Sequence, residues 1–94
     1  AWLAAERVLY LRGDYARAAQ MAEGAFQAEP TASSAYTAAC NWARAQDASN
    51  ALRCLTLASQ NGFSDAAEAR ADPDLTSLLG NPAFEAWLAA MTPA

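Results

Sequence analysis

The chain has 94 residues, a formal charge of −4 and 54% hydrophobic residues, which suits one domain and leaves little length for a catalytic domain beside it. Of the 51 hydrophobic residues 27 are alanine, so 24 larger apolar or thiol side chains must fill a thin, closely approached core. All six cations are arginines scattered along an acidic chain, which argues against a nucleic-acid or anionic-membrane surface, since either needs a basic patch to displace counterions.

One valine and no isoleucine, set against abundant alanine and leucine, favour helix over strand, because these residues lose little side-chain freedom in a helix. From Trp2 to Leu11, large apolar residues alternate with alanines and charges in the manner of an amphipathic helix. Arg12-Gly13-Asp14-Tyr15 then reads as a tight turn, with Gly13 supplying the left-handed closure and Asp14 capping the next helix. That helix carries Ala18, Met21, Ala22, Ala25 and Phe26 on one face and ends at Glu29-Pro30. Ser33 or Ser34 is placed to cap a third helix through Ala45, Gln46-Asp47 makes its turn, and a fourth runs to about Gln60.

The pattern repeats. A shift of 33 residues places Asp14 on Asp47, Ala18 on Ala51, Met21 on Cys54 and Ala25 on Ala58, and a shift of 34 places Trp2 on Tyr36. A period of this length, made of two helices and two turns, marks a helical repeat array. In the last third, Asp72-Pro73 and Asn81-Pro82 each set a capping side chain before a proline suited to the first helical position. Two short helices are expected there, one with Leu75, Leu78 and Leu79 as its stripe and one with Phe84, Trp87, Leu88 and Met91.

The chain has no histidine and no lysine, which removes Ser-His and Cys-His dyads, histidine metal sites and Schiff-base chemistry together. No catalytic residue, metal ligand or cofactor is therefore expected. Asp72 and Asp74 lack the later glycine and glutamate of a calcium loop and read as a helix cap. Cys40 and Cys54 are 14 residues apart on two helices and are expected to be buried free thiols. Trp2 and Trp87 fall in apolar stripes and read as core, while Arg17, Glu23 and Arg53 read as a solvated outer face. No stretch reaches the roughly 20 apolar residues that span a bilayer, and no signal peptide is visible, so a cytoplasmic location is expected. The chain starts at Ala1, as expected of an excised segment or processed product.

Trp2, Gly13-Asp14-Tyr15, Ala18, Ala25 and Pro30 stand in the order of the tetratricopeptide repeat family, and residues 2–63 resemble two such repeats. The second copy runs through Ala35-Tyr36, Ala39-Cys40, Ala51-Leu52, Ala58 and Asn61-Gly62-Phe63, and departs from the pattern at Gln46-Asp47, where glycine is usual. The resemblance implies an all-α single domain of residues 1–94, with antiparallel helix hairpins stacked as a short right-handed α-solenoid. Its first repeat would be 1–30, its second 33–63, and a C-terminal cap would cover 64–94. It also implies a non-enzymatic protein–protein interaction module that binds a peptide or protein segment in a concave groove. Carried onto this chain, the groove residues are Leu3, Arg7, Tyr10 and Leu11 in the first repeat and Thr37, Asn41 and Arg44 in the second. Arg7 and Arg44 suggest an acidic or C-terminal peptide as ligand. The family's carboxylate clamp uses lysines, which this chain lacks, so chaperone-tail recognition is not expected. The alternative is a structural or oligomerisation segment, the capped end of a longer scaffold, with self-association through Trp2 and its apolar neighbours.

Overall fold

Three helices of this chain end in the same way, each closed by one residue in the left-handed region. In the computed structural model, which describes residues 1–91, Gly13, Gln46 and Gly62 have φ of +77°, +64° and +110°. The next residue's N–H then reaches five positions back, from Asp14 to Leu9, from Asp47 to Trp42 and from Phe63 to Ala58, each at 2.9 Å. These closures end α1 (Trp2–Leu11), α3 (Ala32–Arg44) and α4 (Ala48–Gln60), whereas α2 (Tyr15–Ala28) ends at the extended backbone of Glu29. After them come α5 (Ala66–Ala71), a 3₁₀ helix (Pro73–Leu78) and α6 (Pro82–Met91), with no strand among the described residues. None of these helices is long and apolar enough to cross a membrane.

The first four helices pack in sequence order, α1 on α2, α2 on α3 and α3 on α4. Alanine makes this possible: Ala18, Ala22, Ala38, Ala39, Ala51 and Ala58 are wholly buried, so the backbones approach with no long side chain between them. Larger residues gather below α3 and α4, where the 3₁₀ helix and α6 supply Leu75, Leu78, Phe84 and Leu88 against Leu55. Tyr36, Phe63, Trp87 and Phe84 form a line of stacked rings with successive centroids 4.6, 5.8 and 5.9 Å apart. The Trp87 indole N–H donates to the Leu55 carbonyl at 3.0 Å, which fixes α6 against α4. The expected cap stripe of Phe84, Trp87, Leu88 and Met91 thus packs against the core.

Several local expectations are corrected. Thr31, not Ser33 or Ser34, caps α3, its Oγ1 accepting from the Ser34 N–H at 3.1 Å. Asp14 makes no side-chain cap for α2 and pairs instead with Arg17 at 3.2 Å. Leu79 lies in the turn after the 3₁₀ helix and is exposed, because that helix's tighter winding carries it off the Leu75–Leu78 face. Trp2 is half exposed and lies over α2, where a methyl group at Gly24 would sit 2.5 Å from its ring. Glu23 and Arg53 are not a merely solvated face. The Glu23 carboxylate on α2 accepts from the Trp42 indole of α3 at 2.6 Å and from Arg53 of α4 at 2.7 Å, so it ties three helices. Residues 92–94 of the expected cap lie outside the described residues.

Candidate binding cavity between α1 and α3

Helical spacing assembles the site. Glu6, Arg7 and Tyr10 share one side of α1, and Tyr36, Thr37, Cys40 and Asn41 share one side of α3, because residues three and four apart are neighbours on a helix. The two sides face a partly open cavity of about 150 Å³, and the start of the 3₁₀ helix closes it with Asp72 and Asp74. Asp72 caps that helix, as its sequence suggested, with Oδ1 accepting from the Asp74 N–H at 2.9 Å. Its other oxygen reaches α3, where it accepts from the Tyr36 hydroxyl at 2.7 Å and the Cys40 thiol at 3.8 Å. Asp74 Oδ1 accepts from the Tyr10 hydroxyl of α1 at 2.8 Å and from Arg44 Nε of α3 at 2.7 Å.

On the helix side of the cavity, Asn41 is 1% and Glu6 3% exposed. Asn41 Nδ2 donates to Glu6 Oε2 at 2.8 Å and to the Thr37 carbonyl at 3.0 Å, while Asn41 Oδ1 has no hydrogen-bond partner among the described residues. A buried acceptor left open in this way is uncommon, because it has given up water without replacement. The charge balance is also incomplete: Asp74 is paired with Arg44, whereas Glu6 and Asp72 have no cationic partner among the described residues.

The acidic surroundings set the titration of the lining groups. Burial, followed by the Asp72 hydrogen bond, pushes the Tyr36 hydroxyl well above its usual range. Burial and then the charges of Asp72 and Asp74 push the Cys40 thiol far up as well. The hydrogen bond to Asp74, then burial, raises Tyr10, and the same carboxylate raises Arg44. At neutral pH, then, Cys40 is a neutral thiol and not a nucleophile. Cys40 Sγ and carboxylate oxygens of Asp72 and Asp74 lie within 4.8 Å of one another, a set that could in composition hold a metal ion. A thiolate ligand is disfavoured there, and three of the four carboxylate oxygens already accept protein donors.

Four of the residues expected to line the groove, Arg7, Tyr10, Thr37 and Asn41, meet at this cavity. Arg44 lines a neighbouring depression of about 380 Å³ beside Tyr15 and Pro73, with its guanidinium held by Asp74. Leu3 lies away from the cavity, beside Trp2 and Ala25, and Leu11 is 74% exposed. Of the two inward arginines expected to meet an acidic ligand, only Arg7 is without an ion pair among the described residues, and its guanidinium stacks 4.8 Å over the Tyr10 ring. Glu6, Tyr36, Cys40, Asp72 and Asp74 complete the site and were not expected in it. Glu6 had a readable signal, as the acidic residue of α1 beside Arg7. No protein-family model, curated protein or solved structure matches this chain.

Proposed function

We propose that this chain is a non-catalytic protein-interaction module that holds a segment of a partner protein against α1 and α3. In this reading α1–α2 and α3–α4 are antiparallel hairpins of tetratricopeptide type, stacked as a short right-handed α-solenoid, and the segment from α5 onward caps them. The carrying observation is the cavity itself: matched faces of α1 and α3 converge on it, and four residues of the expected groove, Arg7, Tyr10, Thr37 and Asn41, line it together. A chain with no histidine or lysine, whose thiols are held protonated by burial, is better suited to binding than to nucleophilic or acid–base chemistry.

The test is a displayed library of unstructured peptides, with each binder mapped by amide shift changes in isotope-labelled protein. Shifts should cluster on Arg7, Tyr10, Thr37 and Asn41. Binders that perturb only the outer faces of α2 and α4 would refute the assignment.

A second reading has its own observation. Trp2, Leu3, Val8 and Leu11 leave α1 with large apolar side chains in water. Val8 corresponds at a shift of 34 to Trp42, which in the second copy is buried where α3 packs on α2. The same side of α1 would then be a docking surface, and the chain the capped end of a larger scaffold. Library binders that shift only Trp2, Leu3, Val8 and Leu11 would favour it.

A further inference from the structure

We propose that the outer face of α1 docks an amphipathic helix of a partner protein, one that carries a narrow apolar stripe with carboxylates along both edges. This inference rests on the second reading above, in which α1 bears a docking surface, and names the chemistry of what docks there. The first observation is where the uncovered apolar surface lies. Four of the five large hydrophobic residues left exposed among the described residues, Trp2, Leu3, Val8 and Leu11, belong to this one helix of ten residues. Trp2 lies over α2, on which α1 mainly packs. Helical spacing puts Ala4, Val8 and Leu11 together on the side turned away from the buried Glu6, and all three are exposed. Apolar residues gathered on one face in this way mark an interaction surface, whereas scattered single ones do not.

The second observation is charge. Four of the six arginines are in ion pairs, and three of those pairs join different helices: Arg44 with Asp74, Arg53 with Glu23 and Arg70 with Glu85. Where two elements of this molecule meet, an arginine at the contact finds a carboxylate on its neighbour. The two arginines without an ion pair among the described residues are Arg7 and Arg12, one within α1 and the other closing it. Arg7 is three and four positions from Ala4 and Leu11, and Arg12 is four from Val8, so the pair borders the apolar stripe on its two sides. An element that covers the stripe and completes the pattern brings carboxylates to both edges. The same charges decide between occupants. Glu6 is the only acid of α1 and is 3% exposed, so two copies meeting through this face would set arginine against arginine. Another protein is therefore the occupant, and a helix suits it because every element that covers another in this chain is itself helical.

The experiment is a displayed library of small helical hairpins with one helix face randomised, selected on the full chain. Counter-selection uses the double variant Val8→Asp, Leu11→Asp, which changes two exposed positions and should keep native helicity. Survivors should carry small or apolar residues in a stripe with Asp or Glu along both edges. They should shift the amides of Ala4, Val8 and Leu11 and leave those of Thr37 and Asn41 unmoved. Arg12→Glu alone should weaken them, and Arg7→Glu with Arg12→Glu should weaken them by about tenfold or more. Reselection on that charge-reversed chain should return lysine and arginine at the same edges. Arg17→Gln, whose arginine already has Asp14, should change nothing. Survivors with neutral or basic edges would leave the docking surface standing and overturn the acidic partner. An empty selection would overturn both. If the chain alone sediments as a dimer and the counter-selection variant does not, a second copy is the occupant and the inference falls.

Discussion

Replacing Glu23 with alanine removes a carboxylate that α2, α3 and α4 share, and the structure sets the size of the loss. Trp42 is 9% exposed, and its indole N–H donates to Glu23 at 2.6 Å. Without that acceptor the donor is stranded in a nearly dry site, at a cost of about 1–3 kcal/mol. The Arg53–Glu23 pair adds less, because the two side chains are 47% and 23% exposed and water screens them. Its share is about 0.5 kcal/mol. A combined loss of about 2 kcal/mol lowers the thermal midpoint of a domain this size by about 8–16 °C. Scanning calorimetry of Glu23→Ala, Trp42→Phe and the double variant is the assay, with coupling expected because the two residues are in direct contact. Burial by itself pushes the Glu23 carboxyl up, but hydrogen bonds from Arg53 and Trp42 outweigh it and hold the group below its ordinary value of 4.5. The folded state therefore binds this proton less tightly than the unfolded state. The stabilisation is complete above about pH 4.5 and is lost as the pH falls through the lower folded value. Glu23→Gln, which keeps an acceptor for Trp42 but no charge, should approach the native chain in stability in that acid range. An unchanged midpoint for Glu23→Ala, or strictly additive effects in the double variant, would refute the shared-carboxylate reasoning.

Ala51 is wholly buried on α4, so Ala51→Leu should overpack the α3–α4 contact and cost about 1–3 kcal/mol, visible as a lower urea midpoint. Gln46 adopts φ +64° where the equivalent turn uses Gly13, so Gln46→Gly should stabilise by about 0.5–1 kcal/mol in the same assay. Loss of stability there would mean that the Gln46 side chain contributes more than its backbone strain removes. Cys40 and Cys54 are buried and free, with burial and the Glu23 charge pushing the Cys54 thiol up to about 12. Both should label with a disulfide reagent only as fast as the chain opens, and rapid labelling of either in native buffer would contradict this.

The helices were legible because their apolar residues recur at helical spacing and their ends carry local signals such as Gly13 and Asn81-Pro82. α5 was not, since its six residues, Ala66 to Ala71, alternate alanine with charge and present no apolar stripe. The site was legible on one wall only. Arg7, Tyr10, Thr37 and Asn41 follow from the register of α1 and α3, but Asp72 and Asp74 read as a cap, which describes half of what they do. One oxygen of Asp72 closes its own turn, and the other meets Tyr36 from 36 residues away. Local spacing carries no trace of that second bond. Arg44 likewise looked unpaired, because its partner Asp74 lies 30 residues downstream.

The Tyr10–Asp74 hydrogen bond spans 64 residues and joins the first helix to the last third of the chain. In a linear array each unit is held by its neighbours, so ends open before middles. Here α1, which packs mainly on α2, is also fastened to an element whose Leu75 and Leu78 are set in the main core. Opening α1 must therefore break a contact anchored in the last third of the chain. Amide hydrogens of α1 should accordingly exchange with solvent at rates closer to those of α3 than an end helix of a stack would show. Tyr10→Phe, by cutting that one tie, should let the first helix exchange independently while the remaining helices keep their protection.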